Sequence, residues 1–343
     1  MTTSAPDEFE ASLARYSVLT RGAMQKLFPV GQPHEYLYEL MRDYPARGGK
    51  KIRPAILLAT CETYGGRPDD ALGAAVGLEM LHNAFLIHDD IEDGSPRRRR
   101  LPTLHQMYGV PLALNAGDAL AALALRPLRA DTTLSPRLRD LLVSEFESVV
   151  RKTTEGQALE LGWREDRIID LAPMDYIALA GKKTCWYTTV APLRMGAIIG
   201  SHGTASLRAI SRFGFFLGLA FQTRDDLLDV EPRTHPDKVP LGDIREGKHT
   251  LLLVHLLATA SAAHRDWLME LLGRPQEQRS SAECNCVLEL MHAYGSIDFT
   301  RRFGAEMADA ARESFAEAFV EAPESAHLGF LRGLIDFVVD RRS

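Results

Sequence analysis

The spacing of apolar residues is the feature that most constrains the fold of this chain. From about residue 7 to the C-terminus these residues recur at intervals of three and four, with breaks at glycine and proline. Leu207, Ile210, Phe213, Leu217 and Phe221 illustrate the pattern. Such spacing is typical of helices that bury one face, and no segment shows the period-two alternation of a strand. We therefore expect an all-α fold without β-strands.

The breaks between helical segments do not divide the chain into separate parts. It has 343 residues, of which 45% are hydrophobic, and it contains no low-complexity linker. We predict a single domain over residues 1–343. The segment Glu231–Gly247 holds three prolines, and we interpret it as a loop beside a site.

Charge and composition exclude several classes of protein. The formal charge of −6 disfavours a general nucleic-acid binder, and the N-terminus lacks the basic and apolar regions of a secretory signal. The most apolar windows, such as Phe213–Phe221, are shorter than the roughly 20 residues of a membrane span. The four cysteines, including Cys284 and Cys286, do not have the spacing of a zinc site or a disulfide scaffold. We expect a cytoplasmic protein with no membrane span.

Three carboxylates stand close together at the end of one apolar run. The sequence IHDDIED places Asp89, Asp90 and Asp93 after a helical segment that begins near Ala71. On a helix, Asp89 and Asp93 share a face and Asp90 lies about 100° round from Asp89. Like charges repel, and the helix dipole is already negative at this end. We therefore expect a positive group to compensate them.

The same arrangement recurs in FQTRDDLLD, where Asp225, Asp226 and Asp229 close a second apolar segment, Ser206–Asp229. One DDxxD in a helical protein is often an exposed helix end, but two copies indicate a site. Mg²⁺ takes one or two protein carboxylates and completes its octahedron with water and substrate phosphates. The two motifs therefore predict a magnesium-bound diphosphate.

Basic residues cluster in GGKKIRP, SPRRRRLPT and GKKT. These motifs contain Lys50, Lys51, Arg53, Arg97, Arg98, Arg99, Arg100, Lys182 and Lys183. Each cluster alone is most often a solvated surface, but arginine and lysine are also the usual partners of phosphate oxygens. A second diphosphate, bound without metal, would explain why one chain carries both systems.

The sequence resembles the trans-isoprenyl diphosphate synthases, also called polyprenyl synthetases, and is most like the bacterial geranylgeranyl diphosphate synthases. The resemblance rests on motifs in the family's order: GGKKIRP, EMLHNAFLIHDDIEDGS, RRxLPT, EGQ, GKKT, FQTRDDLLD and GDIREGKHT. It implies a single-domain orthogonal helical bundle around a central cavity, with the aspartate motifs across its mouth, and a homodimer. The family usually has glycine after the paired arginines, where this chain has Arg100.

The resemblance also implies roles for individual residues. The six aspartates resemble the ligands, direct or through water, of about three Mg²⁺ ions on the allylic diphosphate. Further contacts to that diphosphate would come from Arg98, Lys183, Lys238 and Lys248. The pocket for isopentenyl diphosphate would consist of Lys50, Arg53, His82 and Arg99, and the reacting region would be lined by Thr184 and Gln222. The expected catalytic groups are Asp89, Asp90, Asp93, Asp225, Asp226, Arg98, Lys183 and Lys238.

The implied reaction is head-to-tail, 1'-4 chain elongation from a dimethylallyl, geranyl or farnesyl primer. The allylic diphosphate ionises, the double bond of isopentenyl diphosphate attacks, and a proton is lost, for which the released diphosphate could be the base. Placement of the substrates and electrostatic stabilisation would supply the catalysis.

Two alternatives are a class I terpene cyclase and a non-catalytic regulatory subunit of a prenyl synthase. A cyclase usually carries an Asn/Ser/Glu triplet as its second metal motif, and regulatory subunits tend to lose aspartates from one motif. The complete DDLLD motif favours the synthase.

Product length would be set by the side chains below the first aspartate motif. Phe85 and Leu81 lie one and two helical turns before Asp89, at about 5.4 Å per turn. In the family, aromatic residues at both the fourth and fifth positions before this aspartate accompany short products, whereas here Phe85 is preceded by Ala84. The motif also lacks the two-residue insertion of the usual bacterial farnesyl-type enzymes. We predict a C20 product, with C15 or C25 as alternatives.

Overall fold

The computed structural model describes residues 5–231 and 241–340, so Lys238 lies outside the described residues. The described residues are 78% helical, which confirms the all-α prediction. The expectation that there is no strand is wrong at one place. Arg97–Arg98 pairs antiparallel with Leu101–Pro102 in a two-stranded hairpin, because the turn between them reverses the chain within two residues.

The helical elements fall between the glycine and proline breaks. The α-helices are Ala5–Gln25, Glu39–Ala46, Ile52–Thr63, Pro68–Glu92, Leu104–Tyr108, Val110–Ala124, Arg126–Arg129, Pro136–Glu165, Pro173–Ala180, Ala191–Gly200, Leu207–Val230, Gly242–Glu246, Leu251–Thr259, Ala262–Leu272, Ser281–Ala293, Ser296–Ala318 and Ala326–Asp340. His34–Tyr38 and Gly181–Val190 are π-helical, and Gln276–Gln278 is a 3₁₀ turn. The segment that we interpreted as a loop, Glu231–Gly247, therefore contains the short helix Gly242–Glu246.

The described residues divide into two compact units. The first comprises those of Met1–Val149, Thr188–Ser211 and Phe315–Leu334, and the second those of Val150–Tyr187, Arg212–Ser314 and Ile335–Ser343. The single domain over 1–343 stays a prediction. Each unit contains one aspartate motif.

The core of the first unit is built around the helix Pro68–Glu92, which packs against Ile52–Thr63 and Val110–Ala124. It is long and apolar enough to cross a membrane, unlike the windows that we considered from the sequence, but 72% of the window concerned is buried inside the protein. Ile52–Thr63 also packs closely on Ala191–Gly200. A side chain at Gly196 would collide with the Leu57 carbonyl, so glycine permits this approach.

The second unit has two apolar clusters beneath its aspartate motif. Leu227 and Val230, on the helix Leu207–Val230, pack with Leu252, Leu256 and other side chains that follow them. A second cluster joins Tyr176, Cys185, Leu219 and Leu251. Burial of large aliphatic and aromatic side chains contributes about 1.5–3 kcal/mol each to such cores. Both clusters hold the end of the helix that carries Asp225 and Asp226.

Candidate active site

The first aspartate motif lies where the helix Pro68–Glu92 ends in a glycine cap. Gly94 has φ +61°, and the N–H groups of Gly94 and Ser95 donate to the carbonyls of Ile91 and Asp90. This is the Schellman pattern, which satisfies the last carbonyls of a helix and turns the chain sharply. The local sequence DGS therefore ends the helix at its acidic cluster and leads directly into the arginine hairpin.

Arg98 supplies the positive charge that the first cluster was expected to need. Its Nε donates to both Asp90 oxygens, at 3.0 and 3.2 Å, and its Nη2 lies 3.5 Å from Asp89 Oδ2. The Tyr44 hydroxyl donates to Asp90 Oδ2. Asp90 is fully buried, whereas Asp89 is partly exposed. Burial raises the pKa of Asp90, and Arg98 and Tyr44 counteract this by favouring the charged carboxylate.

A separate cationic cluster lies in the same unit. Arg53 Nη1 is 3.2 Å from His82 Nε2, and Arg53 Nη2 donates to the Thr188 hydroxyl at 2.9 Å. Arg99 donates to the Gly48 carbonyl, and its guanidinium fills the space beside Gly49. The pKa of His82 is well below its usual value because the ring is buried and because positive charge surrounds it, from Arg53, Arg99, Lys51 and Arg98. A neutral imidazole among guanidinium groups suits a phosphate bound without metal.

Two neighbouring lysines have different environments. Lys51 is buried and forms an ion pair with buried Glu79, with Nζ and Oε1 2.7 Å apart. The adjacent Lys50 is exposed. Since Glu79 already neutralises Lys51, we assign Lys51 to the core, and Lys50 stays the predicted anion-binding lysine of this motif.

The second aspartate motif has different partners. Asp226 is buried, and it accepts hydrogen bonds from the Tyr176 hydroxyl at 2.8 Å and from Gln222 Nε2 at 2.7 Å. Burial raises the pKa of Asp226 to about 8, and the nearby carboxylates of Asp243 and Asp225 act in the same direction. Asp225 is partly exposed.

Asp229 anchors the short helix Gly242–Glu246. Its carboxylate accepts the backbone N–H groups of Gly242 and Asp243, at 3.2 and 3.1 Å. These are N–H groups that a helix start leaves without intrahelical partners, and the helix dipole favours a negative charge there. Asp243 is thereby held near Asp226, with Lys248 Nζ 3.8 Å from its carboxylate. From the sequence we placed Asp243 in the loop beside a site but gave it no role, although it lies in the GDIREGKHT motif.

Lys183 lies on the π-helix Gly181–Val190, which packs on the helix Pro136–Glu165. Its Nζ is 2.8 Å from Glu160 Oε1, and a Cβ at Gly156 would lie 2.5 Å from the Lys183 backbone nitrogen. The glycine of EGQ therefore allows the backbones to approach closely. Thr184 lies beside Lys183 on this π-helix and is partly exposed. π-helical segments are rare, and those that occur are often found at functional sites.

The structure thus groups the predicted residues into sets. The first set contains Asp89, Asp90 and Arg98, and the second contains Arg53, His82 and Arg99. The third set contains Gln222, Asp225 and Asp226, and the structure adds Asp243 and Lys248 to it. Among residues 5–231 and 241–340, no three His, Cys, Asp or Glu side chains are arranged to hold a metal by themselves. Mg²⁺ needs only one or two protein carboxylates when phosphates complete its shell, so the donors fit it.

Comparison with known proteins decides the family. The family described as polyprenyl synthetase matches residues 34–291. The chain belongs to the polyprenyl synthetase family. It is 34% identical to a short chain isoprenyl diphosphate synthase of Methanothermobacter thermautotrophicus over 86% of this chain and 87% of that protein. It is also 34% identical to a geranylgeranyl diphosphate synthase of Sulfolobus acidocaldarius over 75% of this chain and 79% of that protein.

Solved structures of this family share the fold. The geranylgeranyl pyrophosphate synthetase of Pyrococcus horikoshii has a TM-score of 0.87 and 29% identity, over 98% of this chain and 100% of that one. A polyprenyl synthase from Caulobacter crescentus, complexed with calcium and isoprenyl diphosphate, has a TM-score of 0.84 and 26% identity, over 97% of this chain and 98% of that one. The isoprenoid synthase fold is confirmed, and this member of the family is a trans-prenyltransferase acting on isoprenoid diphosphates.

Proposed function

We propose that this chain is a magnesium-dependent prenyl diphosphate synthase that condenses isopentenyl diphosphate with an allylic diphosphate and releases geranylgeranyl diphosphate, C20. The observation that carries the proposal lies on one helix, Pro68–Glu92, which bears His82 of the cationic cluster and Asp89 of the acidic motif. The two residues are seven positions apart, about 10 Å along one face. One helix therefore supports a metal-free anion site and a carboxylate site, as two diphosphates require.

The allylic diphosphate is assigned to the aspartate motifs. About three Mg²⁺ ions would be held by Asp89, Asp93, Asp225 and Asp243. The neighbouring carboxylates of Asp90, Asp226 and Asp229 would orient these ligands without binding the metal directly. When bound, the metal supplies Lewis-acid stabilisation of the negative charge on the departing diphosphate. Asp229 acts here by capping the helix that presents Asp243.

The remaining cationic residues orient the two substrates. The allylic diphosphate is contacted by Arg98, Lys183, Lys238 and Lys248. Isopentenyl diphosphate is bound by Lys50, Arg53, His82 and Arg99. The carbon–oxygen bond of the allylic substrate breaks and its electron pair leaves with the diphosphate. The double bond of isopentenyl diphosphate then forms the 1'-4 carbon–carbon bond, and a proton passes to the released diphosphate. Thr184 and Gln222 line the reacting region.

The prediction of a C20 product depends on the residues that precede Asp89 in the helix Pro68–Glu92. Leu81 and Ala84 are fully buried in the helix Pro68–Glu92, whereas Phe85 is only partly buried. We assign Phe85 as the floor that stops the growing chain. Named relatives include geranylgeranyl synthases and a geranylfarnesyl diphosphate synthase of Natronomonas pharaonis, which is 29% identical over 99% of each chain.

We also propose a cytoplasmic homodimer. Met107, Tyr108, Val110 and Leu114 lie on consecutive helices, and each exposes 39–48% of its surface. Val110 and Leu114 are four residues apart and share a helical face. Exposed apolar side chains on neighbouring helices are candidates for a protein interface, and a second copy of the chain is the partner that the family supports.

The test is incubation of the purified protein with isopentenyl diphosphate and each of dimethylallyl, geranyl and farnesyl diphosphates, followed by product chromatography. We expect C20 from all three primers with Mg²⁺ and no product with excess EDTA. A cyclic product or no product with Mg²⁺ would overturn the synthase assignment. A dominant C15 or C25 product would overturn only the chain length.

A further inference from the structure

We propose that Tyr44 and Tyr176 are matched positioning residues, each of which fixes the second aspartate of one motif so that the preceding aspartate is directed to the metal-bound diphosphate. The inference rests on the proposed function. Tyr44 lies on Glu39–Ala46 and Tyr176 on Pro173–Ala180, and both side chains are buried.

The two motifs share one pattern of contacts although their surroundings differ. Each tyrosine hydroxyl donates to Oδ2 of its aspartate, Asp90 or Asp226. The Oδ1 atoms are bound by other donors, Arg98 for Asp90 and Gln222 for Asp226. Both oxygens of each second aspartate are therefore engaged by the protein.

This engagement has a consequence for the neighbouring residue. Successive residues on a helix point about 100° apart, so a second aspartate that is fixed inward leaves the first, Asp89 or Asp225, directed elsewhere. Asp89 and Asp225 are indeed partly exposed, whereas Asp90 and Asp226 are buried. Partners that orient a metal-binding carboxylate site typically alter metal affinity 10–100-fold when they are removed.

The two tyrosines should not contribute equally. Asp90 keeps a charged donor, Arg98, when the Tyr44 hydroxyl is lost. Among residues 5–231 and 241–340, the hydrogen-bond donor left to Asp226 when the Tyr176 hydroxyl is lost is the neutral amide of Gln222. Hydrogen bonds from charged donors are roughly twice as strong as neutral ones, so Tyr176 should matter more than Tyr44.

The chain offers a matched control in Tyr16. It is fully buried, and its hydroxyl donates to Glu62 Oε2 at 2.7 Å, outside both motifs. Tyr16→Phe therefore removes the same kind of buried tyrosine–carboxylate hydrogen bond, together with a contact of that hydroxyl to His327 Nδ1 at 3.0 Å. A general effect of losing such a bond on folding will appear in this variant as well.

The experiment measures Mn²⁺ binding by electron paramagnetic resonance with inorganic pyrophosphate, without turnover, together with the Mg²⁺ dependence of activity. We expect Tyr176→Phe to weaken Mn²⁺ binding about tenfold, Tyr44→Phe about threefold and Tyr16→Phe not at all. The KM for isopentenyl diphosphate should not change. In a double-variant cycle, Tyr176→Phe should add little to Asp226→Asn, because it acts through that carboxylate.

Parent-like Mn²⁺ binding in folded Tyr44→Phe and Tyr176→Phe proteins would overturn the positioning role. Equal weakening in Tyr16→Phe would overturn it too, since the effect would then be one of general stability. If Tyr176→Phe does not fold, the Tyr44→Phe comparison carries the same test. Failure of the parent protein to bind Mn²⁺ with pyrophosphate would instead overturn the proposed function.

Discussion

At the scale of single residues, backbone conformation explains where this chain departs from its family. Arg99 and Arg100 form the two-residue turn between Arg97–Arg98 and Leu101–Pro102, and both have positive φ, +52° and +68°. Hairpins of this length favour turns in which both central residues adopt such angles. A side chain there costs roughly 1 kcal/mol, which glycine avoids. The family's usual glycine at the Arg100 position is thus a conformational preference.

Replacing Arg100 by glycine should therefore stabilise the protein. We expect the free energy of unfolding to rise by about 0.5–1 kcal/mol because the turn is relieved of strain. The measurement is urea denaturation at constant pH. Arg97→Gly is the control, since Arg97 lies in the strand, where glycine should lower stability by a similar amount. Destabilisation by Arg100→Gly would contradict the assignment of strain to this turn.

His82 gives a prediction for pH. Its folded-state pKa lies well below 6.5, so below that pH the unfolded chain binds a proton that the folded protein does not. Stability from this residue is therefore complete above about pH 6.5 and falls as the pH is lowered. Urea denaturation between pH 8 and 5 should show a steeper acid loss for the parent than for His82→Gln. Identical slopes would show that His82 is not held neutral.

Phe85 is the proposed floor of the pocket, so its size should set the product length. Phe85→Ala should deepen the pocket and shift products beyond C20, as measured by chromatography with a farnesyl primer. Ala84→Phe should shift them towards C15, but Ala84 is fully buried, so overpacking would also cost about 1–3 kcal/mol of stability. An unchanged product distribution in a folded, active Phe85→Ala protein would remove Phe85 from the floor.

At the scale of elements, the approach of the helix Pro136–Glu165 to the π-helix Gly181–Val190 positions Lys183. Glu160, one turn after Gly156, forms the ion pair with Lys183, so both residues of that face serve the contact. An added methyl group at Gly156 would meet backbone atoms, which cannot move aside as a flexible side chain can. The position of Lys183 therefore depends on residue 156 being a glycine.

Gly156→Ala should lower stability by about 1–3 kcal/mol through overpacking and should reduce kcat by displacing Lys183. Gly162→Ala is a matched control in the same helix. A Cβ at Gly162 meets no atom within 4 Å, so this change should stabilise by about 0.5–1 kcal/mol, as alanine does in a helix. Thermal denaturation and steady-state kinetics measure both effects. Equal changes in stability and kcat in the two variants would show that the close approach at Gly156 does not constrain the position of Lys183.

At the scale of the whole molecule, we expect exposed apolar side chains of the first unit to determine whether two copies of the chain form a dimer. In the proposed homodimer, a second copy would cover the exposed apolar side chains of the first unit that we call the apolar stripe, namely Met107, Tyr108, Val110 and Leu114. Charge on that stripe should oppose burial, because an unpaired carboxylate is costly to desolvate.

Leu114→Glu should therefore shift the protein from dimer to monomer, as measured by sedimentation velocity over a range of concentrations. Val18→Glu is the control, because Val18 is also exposed and apolar but lies on the first helix, Ala5–Gln25. A dimer that persists in Leu114→Glu, or one lost equally in Val18→Glu, would place the interface elsewhere.

The sequence by itself determined the features that depend on local periodicity and local chemistry. Intervals of three and four indicated helices, and the positions of Asp89 and Asp225 at two helix ends indicated diphosphate chemistry, because neighbours along a helix are fixed by its geometry. The hairpin was missed, since its turn carries arginines where glycine or asparagine is the usual signal.

Only the tertiary structure decided which long-range partners each charged residue has. Tyr44 is 46 residues from Asp90 and Tyr176 is 50 from Asp226, so no local pattern could pair them. The same holds for Lys51, which belongs to the basic motif GGKKIRP in the sequence and which the fold buries against Glu79. Whether a charged side chain can bind a ligand depends on which residues pack against it. That depends on contacts between distant segments, which spacing along one segment does not specify.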